Sequence, residues 1–208
     1  MTDPVNESID NGRRRILIAG ALLGAGALLT RLTSCVKGAE AVADEATAVH
    51  EGPIPPPGAR STVDFLRRCT VCGLCVEACP TGVLRASTDE YGAVHAMKPT
   101  LIFDDSYCRV VCNRCTQVCP TGALRPLTHE EKRQSPIGRA EIATGRCISV
   151  ANGVSCGVCS RRCPTGAIVM QEDGDDERPV LNAALCIGCG ACEYICPADA
   201  IVVNPINK

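Results

Sequence analysis

The sequence is poor in aromatic side chains. Its 208 residues include no Trp, two Phe and three Tyr, although aromatic rings usually contribute much of a hydrophobic core. A core must therefore be built from aliphatic residues and from bound groups that are not part of the polypeptide. Histidine is also scarce. His50, His95 and His129 are scattered through linker or turn sequence, and we expect each to be a surface residue and not a ligand.

Other features that the sequence lacks narrow its function. The formal net charge is −2, which does not favour nucleic-acid binding, because that needs a basic face. The sequence contains no glycine-rich phosphate loop and no dinucleotide-binding fingerprint. It also offers no acid–base constellation of the kind that catalysis needs. We therefore predict a protein that is not an enzyme and that suits a partner with a basic docking patch.

Cysteine, by contrast, is abundant and regularly spaced. All but one of the 17 cysteines fall into four motifs, each of which ends in Cys-Pro. The ligand positions are Cys69, Cys72, Cys75 and Cys79 in motif 1, Cys108, Cys112, Cys115 and Cys119 in motif 2, Cys147, Cys156, Cys159 and Cys163 in motif 3, and Cys186, Cys189, Cys192 and Cys196 in motif 4. The first gap is longer in motif 2 and longest in motif 3.

This spacing is typical of iron–sulfur ligation. Three thiolates two residues apart can surround one face of a [4Fe–4S] cube, and the fourth, expected to start a short helix, reaches the neighbouring cube. The proline after it ends the helix. A disulfide scaffold has no reason to repeat this spacing, and cysteine-only zinc sites normally use two separated pairs. The motifs therefore predict four [4Fe–4S] clusters.

The spacing leaves open which motifs share clusters. In a consecutive arrangement, Cys119 and Cys79 complete the clusters of motifs 1 and 2, and Cys196 and Cys163 complete those of motifs 3 and 4. A nested arrangement pairs motif 1 with motif 4 and motif 2 with motif 3. We favour the consecutive arrangement because the short acidic hairpin between motifs 3 and 4 resembles that of a two-cluster ferredoxin.

The segments between the motifs predict an α+β fold of duplicated bacterial-ferredoxin-like units, with short helices and β-hairpins around the clusters. The units are residues 61–135 and 136–208. Each motif is expected to be followed by a strand, a turn and a returning strand. Strands are predicted at 83–84, 101–103, 123–124, 140–143, 167–170, 180–181 and 201–203.

Other local expectations concern single side chains. Ser61 is expected to cap a helix whose Val63 and Leu66 face inward. The charged segment 128–133 is expected to be a solvated helix. The glycines at 188 and 190 are expected to let backbone approach a cube.

Residues 1–43 form a leader. Arg13-Arg14 precedes an apolar run from Ile16 to Leu29, which is too short to span a bilayer unaided and resembles the core of a twin-arginine export signal. Three endings stay open: lipidation of Cys35, cleavage after Ala43, or an uncleaved anchor. Residues 44–60 predict a stiff proline-rich linker.

These features together resemble the NapG/MauM family of ferredoxin-type proteins. The resemblance lies in the arginine-pair leader, in Pro56-Pro57-Gly58-Ala59 before motif 1, and in the long first gap of motif 3. It implies a periplasmic protein that relays electrons between a membrane quinol-oxidising protein and a periplasmic reductase or dehydrogenase. The alternatives are an electron-transfer subunit of a molybdenum-type oxidoreductase and an assembly factor that donates clusters.

Overall fold

Short helices and strands surround the cysteine motifs in the computed structural model, which describes residues 50–88, 90–173 and 176–206. The predicted leader and Cys35 lie outside these residues. The helices are α1 (Thr62–Arg68), α2 (Leu74–Glu77), α3 (Arg114–Gln117), α4 (His129–Arg133), α5 (Ile148–Ala151), α6 (Val158–Arg162) and α7 (Ala191–Tyr194). Within the described ranges, no helix is long and apolar enough to cross a membrane.

Helix α1 begins as its sequence predicts but buries a different side chain. The Ser61 hydroxyl accepts a hydrogen bond from the Asp64 backbone N–H at 3.1 Å, which caps the helix. Phe65 is buried, and Leu66 packs against the core. Val63 was expected to face inward, but it is 58% exposed. It lies two positions from Phe65, and therefore on the opposite side of a helix with 3.6 residues per turn.

The strands form three two-stranded antiparallel sheets. The strands are β1 (Leu84–Ala86), β2 (Pro99–Leu101), β3 (Gly138–Ile142), β4 (Ile168–Asp173), β5 (Asp176–Leu181) and β6 (Ile201–Pro205). Hairpin β1–β2 follows motif 1 and hairpin β4–β5 follows motif 3. The third sheet joins β3, which precedes motif 3, to β6, which follows motif 4. The α+β class is therefore confirmed.

The prediction of a strand at Ala123-Leu124 was wrong. Both residues are buried in a bend after motif 2. The Leu124 N–H donates to Cys119 Sγ at 3.4 Å and not to a neighbouring strand. The Arg125 N–H next to it donates to the Gly58 carbonyl and the Leu127 N–H to the Thr116 hydroxyl. The simple repeat of motif, strand, turn and strand therefore does not hold after motif 2.

The proline-rich segment predicted as a linker is packed into the fold over much of its length. Ile54 is 2% exposed and forms an isolated β-bridge with Leu101. Pro56 and Pro57 are fully buried. The Gly58 carbonyl accepts a hydrogen bond from the Arg125 N–H at 2.9 Å. A polyproline backbone has no internal hydrogen bonds, so its carbonyls are free to accept them from neighbouring segments. These prolines are therefore part of the packed fold and do not act as a spacer.

The core is aliphatic and includes the cysteines. One cluster of buried residues combines aliphatic side chains, two phenylalanines and cysteines from several motifs, with the other motif cysteines packed against it.

Candidate functional site: four cysteine-lined cavities

The sixteen motif cysteines surround four separate cavities, each with cysteines from two motifs. We call them cavities I to IV. Cavity I is lined by Cys69, Cys72, Cys75 and Cys119, cavity II by Cys79, Cys108, Cys112 and Cys115, cavity III by Cys147, Cys156, Cys159 and Cys196, and cavity IV by Cys163, Cys186, Cys189 and Cys192. This is the grouping of the consecutive arrangement.

The short helices place the third cysteine of each motif. Cys75, Cys115, Cys159 and Cys192 each occupy the second position of a helix: α2, α3, α6 and α7. Three of these helices begin after a glycine in the left-handed region, which turns the chain sharply between the second and third cysteines. The two cysteines can then face one cavity although they are only three residues apart.

The fourth cysteine follows the helix and does not start it, contrary to our expectation. Cys79 lies after the C-cap of α2, and its neighbour Pro80 prevents any continuation. The helix therefore separates the third and fourth cysteines along its length. This separation carries Cys79 to cavity II while Cys75 faces cavity I.

The Cys-Pro-Thr-Gly sequence builds a hydrogen-bonding pocket for the fourth sulfur. Threonine hydroxyls lie 3.5 to 3.7 Å from the sulfur two residues earlier in motifs 1 to 3. Backbone N–H groups also donate to this sulfur, at 3.2 Å from Ala167 to Cys163 and at 3.3 Å from Ala200 to Cys196. Motif 4 has Ala198 in the place of the threonine.

These contacts favour the thiolate, the form that binds iron. Burial opposes ionisation of Cys79, but hydrogen bonds from the Leu84 N–H and the Thr81 hydroxyl outweigh it and lower the pKa of this thiol. The same balance lowers the pKa of Cys119 and of Cys163.

The third cysteines are in the opposite environment. Burial raises the pKa of Cys75 to about 11 and that of Cys115 to about 12, with neighbouring cysteines adding to the effect. Burial likewise raises the pKa of Cys192. Thiols held this way ionise only when a cation compensates the buried charge, so loading of the cavities must release protons.

The chemistry of the donor set fits [4Fe–4S] clusters. All sixteen motif cysteines are free thiols, so the disulfide alternative is not realised. Within the described residues, no three or more Cys, His, Asp or Glu side chains are grouped so as to hold a single metal ion. Four thiols spread around one cavity, three from one motif and one from its partner, form the ligand set of a [4Fe–4S] cluster.

The two halves of the chain meet between cavities II and IV. The Cys108 N–H donates to the Cys189 carbonyl at 2.8 Å, which joins a cysteine of cavity II to a cysteine of cavity IV. Beside this bond the rings of Tyr107 and Tyr194 lie 6.0 Å apart. Arg162 lies over the Tyr107 ring and donates to its hydroxyl at 3.0 Å. The tyrosines thus pack against each other at the junction of the halves.

Gly190 serves this junction, and Gly188 allows a close approach of two backbone segments within the second half. Both have positive φ, 68° and 77°. A Cβ on Gly190 would overlap the ring of Phe103, and a Cβ on Gly188 would overlap the backbone of Gly138. The sequence could suggest glycine for a tight turn, but it gave no sign of the phenylalanine that fills the space.

Lys132 is the main residue that sequence reasoning missed. It belongs to the segment expected to be a solvated helix, but it is 3% exposed. Its Nζ donates to Cys108 Sγ at 3.2 Å and to the Arg109 carbonyl. A lysine in a charged helix usually faces solvent, so only the folded arrangement reveals this contact.

Comparison with known proteins identifies the family. A family model described as a 4Fe–4S dicluster domain matches residues 68–123 and 146–200, and each match contains two motifs. The methylamine utilization ferredoxin-type protein MauM of Paracoccus denitrificans is 32% identical over 84% of this chain and 80% of its own. The chain belongs to the MauM and NapG family of ferredoxin-type proteins.

Two further relatives show the same extent of similarity. MauM of Methylorubrum extorquens is 32% identical over 76% of this chain and 66% of its own length. The ferredoxin-type protein NapG of Escherichia coli is 32% identical over 74% of this chain and 64% of its own. The match thus spans slightly less than two thirds of these two relatives. Membership of this family makes the chain an iron–sulfur electron-transfer protein.

Proposed function

We propose that the chain carries four [4Fe–4S] clusters and relays electrons between a membrane quinol-oxidising protein and a periplasmic reductase or dehydrogenase. The observation that carries this proposal is the division of sixteen free cysteines into four cavities of four. When bound, such clusters supply one-electron redox sites whose potentials depend on charge, burial and hydrogen bonds to sulfur. The protein sets the order and surroundings of these sites.

The contacts between cavities support a linear order of I, II, IV and III. Cavities I and II share motifs 1 and 2, and cavities III and IV share motifs 3 and 4. The hydrogen bond between Cys108 and Cys189 joins II to IV. Burial raises the pKa of Cys189 to about 11, and Cys108 across the junction adds to the effect. We therefore propose units 61–135 and 136–208, each holding two clusters, with II and IV in the middle.

The outer cavities have the exposed surfaces that exchange with partners requires. Residues 70–74 beside cavity I are all exposed, and so are residues 150–155 in the long gap of motif 3 beside cavity III. Apolar side chains are among them: Leu74 is 47% exposed and Val154 49%. We propose that one partner docks at each end.

The leader and the names of the relatives support a proposal on location and partners. The Arg13-Arg14 pair supports export by the twin-arginine route, which carries proteins already folded and therefore already loaded with clusters. We propose a periplasmic protein, with attachment to the membrane through the leader or a lipidated Cys35. The names of the MauM relatives suggest methylamine utilization as one process that could use such a carrier.

Anaerobic reconstitution tests the cluster count. The purified chain is expected to bind about sixteen irons and an equal amount of sulfide. A variant in which Cys75 is replaced by Ser should lose about four of them, whereas replacement of Cys35 should lose none. A wild-type chain that binds far fewer than sixteen irons would contradict the proposal.

Export is tested separately in cells. Full-length chain with both Arg13 and Arg14 replaced by Lys should remain in the cytoplasm, with its clusters loaded. Equal amounts of wild type and variant in the periplasm would refute the twin-arginine route. Capture of a quinol-oxidising membrane protein with the wild type, and its loss with Leu74→Asp but not with Val63→Asp, would identify the docking end.

A further inference from the structure

Cavity II receives a buried ammonium group. Lys132 lies at the last turn of α4, 3% exposed, with Nζ 3.2 Å from Cys108 Sγ. The sulfur contacts found at the other cavities come from backbone N–H groups and hydroxyls, such as Leu124 N–H on Cys119 in cavity I and Ala167 N–H on Cys163 in cavity IV. Lys98 lies beside cavity I, but its Nζ donates to the Leu66 and Cys69 carbonyls. Cavity II therefore differs from these neighbours in having an ammonium hydrogen-bonded to a ligand sulfur.

A buried ammonium needs an anion nearby, because an unpaired charge in an apolar environment is very unfavourable. Within the described residues, the ion pairs found do not give Lys132 a carboxylate partner. Its hydrogen-bond partners are Cys108 Sγ and the Arg109 carbonyl. In a loaded cavity II, the anion that compensates Lys132 would thus be the thiolate of Cys108.

The fold holds Lys132 in this position by an unusually complete set of contacts. Helix α4 begins with a capping box, in which the Glu131 N–H donates to the Thr128 hydroxyl at 3.1 Å and the Thr128 N–H donates to the Glu131 carboxylate at 2.8 Å. The same carboxylate pairs with Arg125 at 2.7 Å. A helix of five residues would not be stable alone, so these contacts are what keep the ammonium in place.

Motif 2 itself anchors the segment that leads into α4. Asn113 Nδ2 and Gln117 Nε2 both donate to the Leu127 carbonyl, at 2.6 and 2.8 Å. The Leu127 N–H donates to the Thr116 hydroxyl at 3.2 Å. Every one of these side chains lies between the second and fourth cysteines of motif 2 or next to them. The lysine is therefore coupled rigidly to the motif whose sulfur it contacts.

We propose that Lys132 raises the reduction potential of the cluster in cavity II above the value that the sulfur ligands alone would give. Reduction adds a negative charge to a buried site, and a fixed ammonium at 3.2 Å from one ligand stabilises the reduced form more than the oxidised form. The cluster in cavity II, which borders the junction of the halves, then holds an electron more strongly than it would without Lys132. The inference rests on the proposed cluster content.

The test is a potentiometric titration of the loaded full-length chain, followed by EPR. Lys132→Met removes the charge and keeps an unbranched side chain one atom shorter, and Lys132→Arg keeps the charge. Arg133→Met is the matched control, because Arg133 is the exposed neighbour on the same helix. Iron content is measured first in each protein, which tests the cluster count independently of Lys132.

In Lys132→Met, one of the four components is expected to shift to lower potential by at least a tenfold change in its oxidised-to-reduced ratio, which is 59 mV for one electron. Lys132→Arg should keep most of the wild-type potential, because it keeps the charge. Arg133→Met should leave the potentials of all components nearly unchanged. ENDOR of the reduced protein should show the loss of one exchangeable proton coupling in Lys132→Met alone.

Three results would overturn the proposal. The first is a Lys132→Met protein in which no component moves further than in Arg133→Met. The second is an equal shift of all components, which would show a general charge effect. The third is loss of a cluster both in Lys132→Met and in Lys132→Gln, which keeps a donor but no charge, because Lys132 would then be a structural residue.

Discussion

Motifs 1 and 4 have the same cysteine spacing but very different surroundings. In motif 1, residues 70–74 are exposed, whereas in motif 4 residues 187–192 are buried. Gly73 and Gly190 occupy equivalent places and have almost the same φ, 76° and 77°. The space beside Gly73 is open, but that beside Gly190 is filled by Phe103. The spacing therefore sets the ligand geometry, and contacts between the halves decide which cavity lies inside.

This difference assigns the two cavities different places in the proposed relay. Cavity I borders exposed side chains that a partner can contact, whereas residues 187–192 beside cavity IV are buried, with Phe103 of the first half against Gly190. A carrier with several clusters needs both kinds of site, because electrons must enter at a surface and also cross the interior. Duplication of one motif provides the sites, and the junction differentiates them.

Removal of the clusters should abolish the difference between the two regions altogether. The core contains few aromatic rings and many cysteines, and burial disfavours the ionised form of thiols such as Cys75 and Cys115. We expect the iron-free chain to be largely unfolded, since metal binding and folding are coupled in small metallo-domains. Circular dichroism of a cluster-free preparation tests this. A cooperative thermal transition in that preparation would show that side chains alone hold the fold.

Substitution of Gly73 or Gly190 by alanine should show the difference between motifs 1 and 4 most clearly, as a difference in lost stability. Gly190→Ala places a methyl group on the Phe103 ring and strains a positive φ, so we expect the loaded protein to lose about 3 kcal/mol or more. Gly73→Ala strains the same φ in open space and should cost about 1 kcal/mol. The denaturant concentration that bleaches the visible absorbance measures both.

A double variant provides the control for this pair. Phe103→Ala removes the ring that the new methyl group would strike, so Gly190→Ala should cost less in that background than in the wild type. Equal costs for Gly73→Ala and Gly190→Ala would mean that the junction does not hold motif 4 as described.

The residue after Cys-Pro allows a reciprocal pair of substitutions, threonine to alanine in motif 1 and alanine to threonine in motif 4, with a smaller expected effect. Motif 1 has Thr81 with its hydroxyl 3.6 Å from Cys79 Sγ, and motif 4 has Ala198 at that place. Thr81→Ala should lower the potential of the cavity II cluster, and Ala198→Thr should raise that of cavity III, each by less than tenfold in the redox equilibrium. Potentiometric EPR measures both shifts. Shifts of the same sign in the two variants would argue against a hydrogen bond to sulfur as the cause.

The smallest effect concerns pH and motif 4 alone. His50 Nε2 lies 3.0 Å from Glu193 Oε1, and the hydrogen bond to Glu193, partly offset by burial, raises the pKa of His50. Since the folded pKa lies above the unfolded value of about 6.5, the stabilisation is fully present below that value. It is lost as pH rises through the folded pKa.

We expect this contribution to be below about 1 kcal/mol, because His50 is partly exposed and the pair is screened. The position in motif 1 that corresponds to Glu193 is Val76, so no equivalent dependence should arise there. The stability of His50→Gln, measured between pH 5 and pH 9, should vary less with pH than that of the wild type. If His50→Gln leaves the pH dependence of stability unchanged, the His50–Glu193 pair does not cause it.

The sequence predicted the features that depend on local spacing. Motif spacing indicated the four groups of cysteines, and strand patterns indicated the hairpins that include Leu84 and Ile168. It could not predict contacts between distant segments. Burial of Lys132 depends on where α4 lies against motif 2. Burial of Pro57 depends on its position in the lining of cavity II. Ala123-Leu124 carried a strand-like pattern, but the N–H groups of Arg125 and Leu127 donate to the Gly58 carbonyl and the Thr116 hydroxyl and not to a returning strand.

The central claim is that each cavity takes three cysteines from one motif and the fourth from its neighbour. Mössbauer or EPR spectra of Cys163→Ser test it most directly, with Cys186→Ser and Cys147→Ser for reference. We predict that Cys163→Ser and Cys186→Ser alter the same one of the four components and that Cys147→Ser alters another. If Cys163→Ser instead alters the component that Cys147→Ser alters, motif 3 holds its own cluster and the account is wrong.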